Sequence, residues 1–306
     1  MHGIEKLFLD FFSFVRFVFY LLRSRNFSNP IKRKYSGTIA ILANGPSLKE
    51  VLPYLETENA FKEVDFCAVN FFATNDIFYK VKPKHYFLTD SAFFIPDSQP
   101  LQEGKIHNLF SVMQDRIDWE LNLYVPIRWY QNFIKFRKIT NQSIHIIRIN
   151  CNNFNVYSNA FKKLAYFLYT KGLAMPSTYN VSIGAIYASI GMGYKNILLY
   201  GVDHTHFLHC FVDANNKLFY RSTHFYDNSE HLMPVISGGK WIGISENLNG
   251  ASITFKSHEM LAGYADSQKV NVINCTQCSL IDSYVRISGN YAPQDIKQIL
   301  QKFSKW

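Results

Sequence analysis

Four short apolar runs in this chain each stop at a small polar or glycine-led turn. Thr38–Leu42 runs through Ala43 into Asn44-Gly45-Pro46-Ser47, Val64–Val69 stops at Asn70, His85–Leu88 at Thr89-Asp90, and Asn196–Tyr200 at Gly201-Val202-Asp203. Near-continuous apolar runs of this length read as strands buried on both faces, the mark of a parallel sheet. Helical stretches separate them at 48–55, 159–171 and 182–192. In the last, Gly184, Ala185, Ala188 and Gly191 allow close approach to a sheet, and Gly193 ends the helix. Strands alternating with helices predict a doubly wound, mostly parallel α/β sheet. Such a sheet binds ligands at the carboxyl ends of its strands, where Asn44, Asn70 and Thr89 fall. Residues 209–221 read as a hairpin turning at Asn215-Asn216, 255–267 and 293–303 as helices, and 270–274 as a strand. Residues 97–158 are rich in aromatics and Asn with weak periodicity. They contain a strand at 144–149 and are expected to supply a wall of the site.

The formal net charge of +9 favours anionic partners: phosphate-bearing substrates, anionic lipid or nucleic acid. No nucleic acid is expected, because there is no zinc-finger spacing or RNA-binding signature and the basic residues concentrate near the N-terminus. Five scattered cysteines (Cys67, Cys151, Cys210, Cys275, Cys278) suit a reducing compartment and not a disulfide framework. Cys275 and Cys278 form a lone CxxC. Without a second pair it reads as a polar loop after a strand, with zinc as the alternative.

Residues 4–23, IEKLFLDFFSFVRFVFYLLR, place Lys6, Asp10, Ser13, Arg16, Tyr20 and Arg23 at steps of three or four, one narrow stripe on a helix. Asp10 and Arg16 interrupt what would otherwise be a spanning segment. The opening Glu5 and these interruptions do not fit a secretory signal. Arg23, Arg25, Lys32, Arg33 and Lys34 follow as a basic collar. A wide apolar face with a cationic collar predicts a helix lying in the interface of an anionic membrane. The alternative is a helix packed onto the domain or into an oligomer. The chain thus divides into 1–34, an amphipathic membrane-binding helix and basic linker, and 35–306, a Rossmann-like domain with a small lid at 204–254.

Five of the ten histidines lie between 204 and 231: His204, His206, His209, His224 and His231. They begin just after a predicted strand, and THFYDNSEH adds Tyr226, Asp227 and Glu230. His-x-His chelates zinc or iron, but no DxD pair is present to hold a divalent metal on a nucleotide-sugar. A histidine near neutral pKa is the natural general base for a hydroxyl.

Two motifs together resemble the bacterial sialyltransferases of glycosyltransferase family 42: ANGPSLKE, and SIGAIYASIGMGYKNILLYGVDHTH at 182–206. A related group of pterin diphosphokinase-like proteins shares the first motif. The resemblance covers about 38–94 and 180–206, and 255–285 loosely. It implies a Rossmann-like, GT-A-like variant fold with a lid, and an inverting, metal-independent transfer from CMP-sialic acid. It also implies a homo-oligomer. By position, Asn44 and the Gly45-Pro46-Ser47 backbone would meet the CMP phosphate and ribose, and Asn70 the nucleotide. Thr89, beside Asp90, stands where the family has Asn. Asn180 and Val181 replace a Thr-Ser pair that contacts the donor, with Ser182 next, and Asp203 belongs to the family's Gly-x-Asp loop. These departures leave another CMP-linked nonulosonate or ketosugar open. The family supports the leaving phosphate with two tyrosines; the first position here is Thr205, so Tyr220 and Tyr226 substitute by function. His224 is the first choice of base and His231 the second.

Sugar transfer from CMP needs donors for a departing phosphate and a base for the acceptor hydroxyl, and the chain has candidates for each. The reading is a peripheral enzyme on the cytoplasmic face of the bacterial inner membrane. It takes a nucleotide-sugar as substrate, needs no cofactor, and extends a lipid-linked glycan (O-antigen, lipooligosaccharide or capsule). The alternatives are an ATP/Mg diphosphokinase-like enzyme, a transferase using another nucleotide-sugar, or a non-catalytic membrane-bound module.

Overall fold

The computed structural model describes residues 3–24, 31–55, 61, 63–96, 100–226, 231–237 and 239–287. The expected helix at 293–303, together with Arg25, Asp227 and Glu230, lies outside them. In chain order the elements are α1 (Gly3–Ser24), β1 (Thr38–Leu42), α2 (Leu52–Leu55), β2 (Val64–Val69), α3 (Asp76–Val81), β3 (His85–Phe87), α4 (Pro100–Arg116), β4 (Leu121–Pro126), α5 (Tyr130–Arg137), β5 (Ile144–Ile149), α6 (Asn159–Thr170), α7 (Val181–Met192) and β6 (Asn196–Tyr200). There follow β7 (Cys210–Val212), β8 (Leu218–Ser222), β9 (His231–Pro234), β10 (Ile236–Ser237), β11 (Lys240–Trp241), α8 (Ile244–Ser267), β12 (Asn271–Asn274) and β13 (Val285–Arg286).

The main sheet has, among the described residues, eight parallel strands in the order β13-β12-β6-β1-β2-β3-β4-β5. β1 is buried along its whole length, and its side chains alternate between two cores. Ile39 and Ile41 join one with Cys67, Ile197 and Leu199; Ala40 and Leu42 join the other with Ala68, Leu198 and Tyr200. That period of two is what pleating dictates. Helices α6, α7 and α8 cover the first core, α2 to α5 the second. The expected doubly wound architecture is therefore present. α7 is apolar nearly all round and almost wholly buried, as its small residues predict.

Three expectations need correction. The helix expected at 48–55 is broken into a tight 3₁₀ turn, Pro46–Glu50, and the short α2, because Pro53 has no N–H for the Lys49 carbonyl. The helix expected at 255–267 begins at Ile244, running through the poor helix formers Asn247, Asn249 and Gly250 before its buried part starts at Ala251. Residues 97–158 do not form a wall of the site. They build α4, β4, α5 and β5, extending the sheet edge, and among those described only Gln102 reaches the cavity discussed below.

The N-terminal helix is turned in an unexpected way. Part of its polar stripe, Asp10 and Ser13, faces the body, whereas Arg16, Tyr20 and Arg23 are exposed: Asp10 is buried, and its carboxylate accepts hydrogen bonds from the Tyr157 N–H (2.6 Å), the Ser158 N–H (2.8 Å) and the Ser158 hydroxyl. Ser13 donates to the Asn155 carbonyl, and Phe17 is buried against Phe154. Asp10 therefore serves the orphan amides at the start of α6 from another helix, where a negative charge is favoured. The broad apolar side faces outward: Ile4, Leu7, Phe8, Leu9, Phe11, Phe12, Val15, Phe19, Tyr20 and Leu22 are all exposed. α1 is thus a helix packed onto the domain through Asp10, Ser13 and Phe17, with its apolar side left uncovered by the described residues.

Replacing Asp10 by Ala leaves two partly buried amides without their acceptor. The expected loss is about 2–4 kcal/mol in urea unfolding, whereas Phe8→Asp on the exposed face should stay within about 0.5 kcal/mol of the parent.

Candidate functional site

The chain runs from β1 outward to β5, then returns through α6 and α7 to place β6 on the other side of β1. The loops leaving β1 and β6 therefore diverge, and the crevice between them is the topological switch point at which open α/β sheets bind ligands. Two glycines let these exits lie against each other. A Cβ on Gly45 would sit 1.8 Å from Asp203 Oδ2 and 2.4 Å from the Gly201 carbonyl. Gly201 has φ +66° and would press on the Ala43 carbonyl at 2.6 Å. The Gly45 N–H donates to the Gly201 carbonyl at 2.9 Å. Asp203 completes the join: Oδ1 accepts from the Ser47 N–H at 3.3 Å and Oδ2 from the Ser47 hydroxyl at 2.8 Å. Burial raises the Asp203 pKa, and the Ser47 hydrogen bonds pull it back.

Above this join lies a cavity of about 340 Å³. Asn44, Gly45, Pro46, Asn70, Asp90, Asn180, Asp203, Tyr220, His224 and Tyr226 line it, as do His204, His206, His209 and Arg221. Thr89, Ser182, Ser47 and His231 do not. Thr89 is buried under α7, its Cγ2 facing Gly184. Ser182 is fully buried in the first turn of α7. Ser47 is engaged with Asp203, and His231 is exposed on β9 opposite Ser222.

Local geometry explains several of these positions. Asn70 has φ +51°, and the turn is held by Tyr86, whose hydroxyl donates to the Asn70 carbonyl and accepts from the Ala73 N–H at 3.0 Å. The Asn180 side chain caps α7 through the Ser182 N–H at 2.9 Å, and Asp90 caps the next turn through the Ala92 N–H. Phe225 is buried against Phe72, and its N–H donates to the Asn44 carbonyl at 3.2 Å. That anchor sets the flanking His224 and Tyr226 at the cavity, their rings 5.1 Å apart.

The amide oxygens of Asn44 and Asn70 are buried with no hydrogen-bond partner. In the same wall His204, at φ +55°, meets His258 of α8 with 2.8 Å between their Nε2 atoms, and His258 Nδ1 lies 2.9 Å from the Tyr284 hydroxyl. Burial lowers the pKa of His204 to about 3, with His206 adding to the effect, and holds His258 well below its usual range; burial also lowers that of His206. These are neutral hydrogen-bonding rings at pH 7. If Tyr284 donates to His258, His258 donates to His204 and leaves the His204 Nδ1 as a donor; the opposite tautomers leave it an acceptor. Among the described residues, no group of three or more His, Cys, Asp or Glu is placed to hold a metal ion.

Residue patterning did not reveal Arg221, His258 or Tyr284 as site residues. Arg221 had only its place in the predicted hairpin as a signal. His258 is a lone histidine in a helix, and nothing in its own neighbourhood ties it to His204.

No protein-family model and no curated protein matches the chain. Among solved structures it is similar to the MAf glycosyltransferase of Magnetospirillum magneticum AMB-1, with a TM-score of 0.48 and 12% identity, covering 91% of this chain and 40% of that one. It is also similar to the sialyltransferase CstII of Campylobacter jejuni, solved in complex with the substrate analogue CMP-3FNeuAc. There the TM-score is 0.40 and the identity 18%, covering 84% of this chain and 88% of that one. This chain therefore spans less than half the length of the first. Both scores fall below 0.5, and the reading of the site rests on its own residues.

Three buried histidines set an acid limit. His85, lowered by burial to about 4, joins His204 and His258. The unfolded chain titrates these rings near 6.5 and binds their protons first, so stability must fall as pH drops from about 6.5 toward 4. Urea midpoints across that range should show this slope, and His258→Gln should make it shallower by one proton.

Proposed function

We propose that this chain is an inverting glycosyltransferase that takes a CMP-linked sugar, sialic acid or a related nonulosonate or ketosugar. The observation that carries the reading is the pair of unpartnered buried amide oxygens, Asn44 and Asn70, in the walls of the switch-point cavity. A buried acceptor without a donor costs about 1–3 kcal/mol, and a ligand bearing N–H or O–H groups would recover it. A cytidine offers an exocyclic amine and ribose hydroxyls. Arg221 is the one Arg among the described lining residues, which also include Asp90 and Asp203, and its guanidinium lies over the Phe211 ring.

In this reading the acceptor oxygen attacks the anomeric carbon while the bond to phosphate breaks. CMP leaves with the electron pair, and the hydroxyl proton passes to His224. The hydroxyls of Tyr220 and Tyr226 meet the charge on the departing phosphate. The reading of α1 follows from its uncovered apolar side, flanked by exposed Arg16, Arg23, Lys32, Arg33 and Lys34. It lies on an anionic membrane, at the cytoplasmic face of the bacterial inner membrane, where the acceptor is a lipid-linked glycan. No helix among the described residues is long and apolar enough to cross a membrane. A second copy is the other possible cover for this face, and pairing through it would make the homo-oligomer.

A thermal-shift panel of nucleotides with and without Mg²⁺ tests the donor. CMP at one hundred times its Kd should stabilise by about 2.7 kcal/mol without metal, and Asn44→Ala should abolish the shift. Stabilisation only by ATP with Mg²⁺ would overturn the reading. In donor turnover, His224→Ala should lose about 10²–10⁴-fold. Flotation with vesicles containing anionic lipid tests α1: the parent should float, and Phe8→Asp/Phe12→Asp should remain behind. Equal flotation of both would refute the membrane contact.

A further inference from the structure

A second cavity, of about 230 Å³, lies beside the first and shares Asn180, His204 and His206 with it. Its remaining walls come from α8, from the 235–242 segment and from Tyr179. The two cavities differ in their charged groups. The first carries Arg221 together with two carboxylates, Asp90 and Asp203; the lining of the second contains, among the described residues, no Lys or Arg, one carboxylate (Glu246), and hydrogen-bonding Asn180 and Asn247. With the pKa values of His204 and His206 lowered, those rings add no positive charge at neutral pH. An anionic ligand therefore meets no counter-charge among the described residues of the second cavity.

Gly250 shapes this second space. It sits within α8, and a Cβ there would be 3.2 Å from Tyr179 Cε1, so the missing side chain is what lets the tyrosine ring lie against the helix. The ring remains largely exposed, at 66%. An exposed aromatic face beside carboxamide and carboxylate acceptors suits the mixed surface of a sugar, whose C–H face is apolar and whose edge is hydroxylic. The shared wall is held in place, because His204 is tied through His258 to Tyr284.

We propose that this second cavity binds the uncharged sugar residue that accepts the transferred group, with His204 and His206 standing between it and the donor. The assignment rests on the transferase reading and deepens it. The stacking surface is Tyr179, Glu246 and Asn247 accept from sugar hydroxyls, and the acceptor hydroxyl points toward the first cavity past Asn180.

The test is saturation-transfer NMR on the full chain with CMP present. The probes are uncharged methyl glycosides of galactose, glucose and N-acetylglucosamine, with methyl glucuronide as the charged comparison. At least one neutral glycoside should receive saturation and methyl glucuronide at least tenfold less. Gly250→Leu, which fills the space at Tyr179, should remove the neutral signal while the CMP thermal shift persists and shows the fold intact. Glu246→Gln should weaken the signal without touching that shift. Absence of any neutral-glycoside signal in the parent, an equal or stronger glucuronide signal, or unchanged signals in both variants would overturn the proposal. If the parent shows no CMP shift yet Gly250→Leu still abolishes glycoside binding, the sugar site stands and the nucleotide reading fails.

Discussion

One carboxylate joins the two halves of this molecule. Asp203 leaves the end of β6 and takes both the N–H and the hydroxyl of Ser47 at the exit of β1. In a doubly wound sheet these loops part company by topology, so something must hold them at a defined separation. Here the contact is made without intervening side chains, since Gly45 and Gly201 have none. Asn44 and the 201–206 loop are thereby set on facing walls. The Asn44 carbonyl then receives Phe225 and brings the segment beyond β8 down onto the crevice. The cavity is a consequence of that join more than of any single wall.

The electrostatics of the two neighbouring spaces follow from what is buried near each. His204, His206 and His258 are kept neutral by desolvation, so the wall between the cavities exchanges hydrogen bonds and not charge. Among the described residues the second space carries Glu246 and no Lys or Arg, which disfavours an anion there. A bisubstrate site needs such a partition if one ligand is anionic and the other is not.

The sheet was legible because the strands that build it are buried on both faces and read as unbroken apolar runs. Thr38–Leu42, Val64–Val69 and Asn196–Tyr200 appear with the expected bounds. The small residues of α7 and the turn at Asn215-Asn216 were equally plain. α4 was less so, although Ile106, Leu109, Phe110 and Met113 recur at helical spacing; the polar residues between them diluted the pattern. The start of α8 was hidden because Asn247, Asn249 and Gly250 favour other conformations. At the site, turn residues such as Asn44 and Asn70 announced themselves by following strands. The pairing of His204 with His258 did not, because it joins residues 54 apart in the chain. The inward turn of Asp10 was also unreadable, since its partners lie 147 and 148 residues away.

The central strand also sets an order of assembly. β1 is flanked on one side by β2, its next neighbour along the chain, and on the other by β6, with Thr38 opposite Asn196, 158 residues later. During synthesis at about 5–20 residues per second, that second edge stands open for roughly 8–30 s. A largely apolar open edge is a template for pairing with the wrong chain, and parallel pairings over such separations form slowly. The nascent chain thus passes through a long interval in which its most hydrophobic strand has one neighbour. Chaperone dependence and inclusion-body formation in overexpression are the costs that this topology carries.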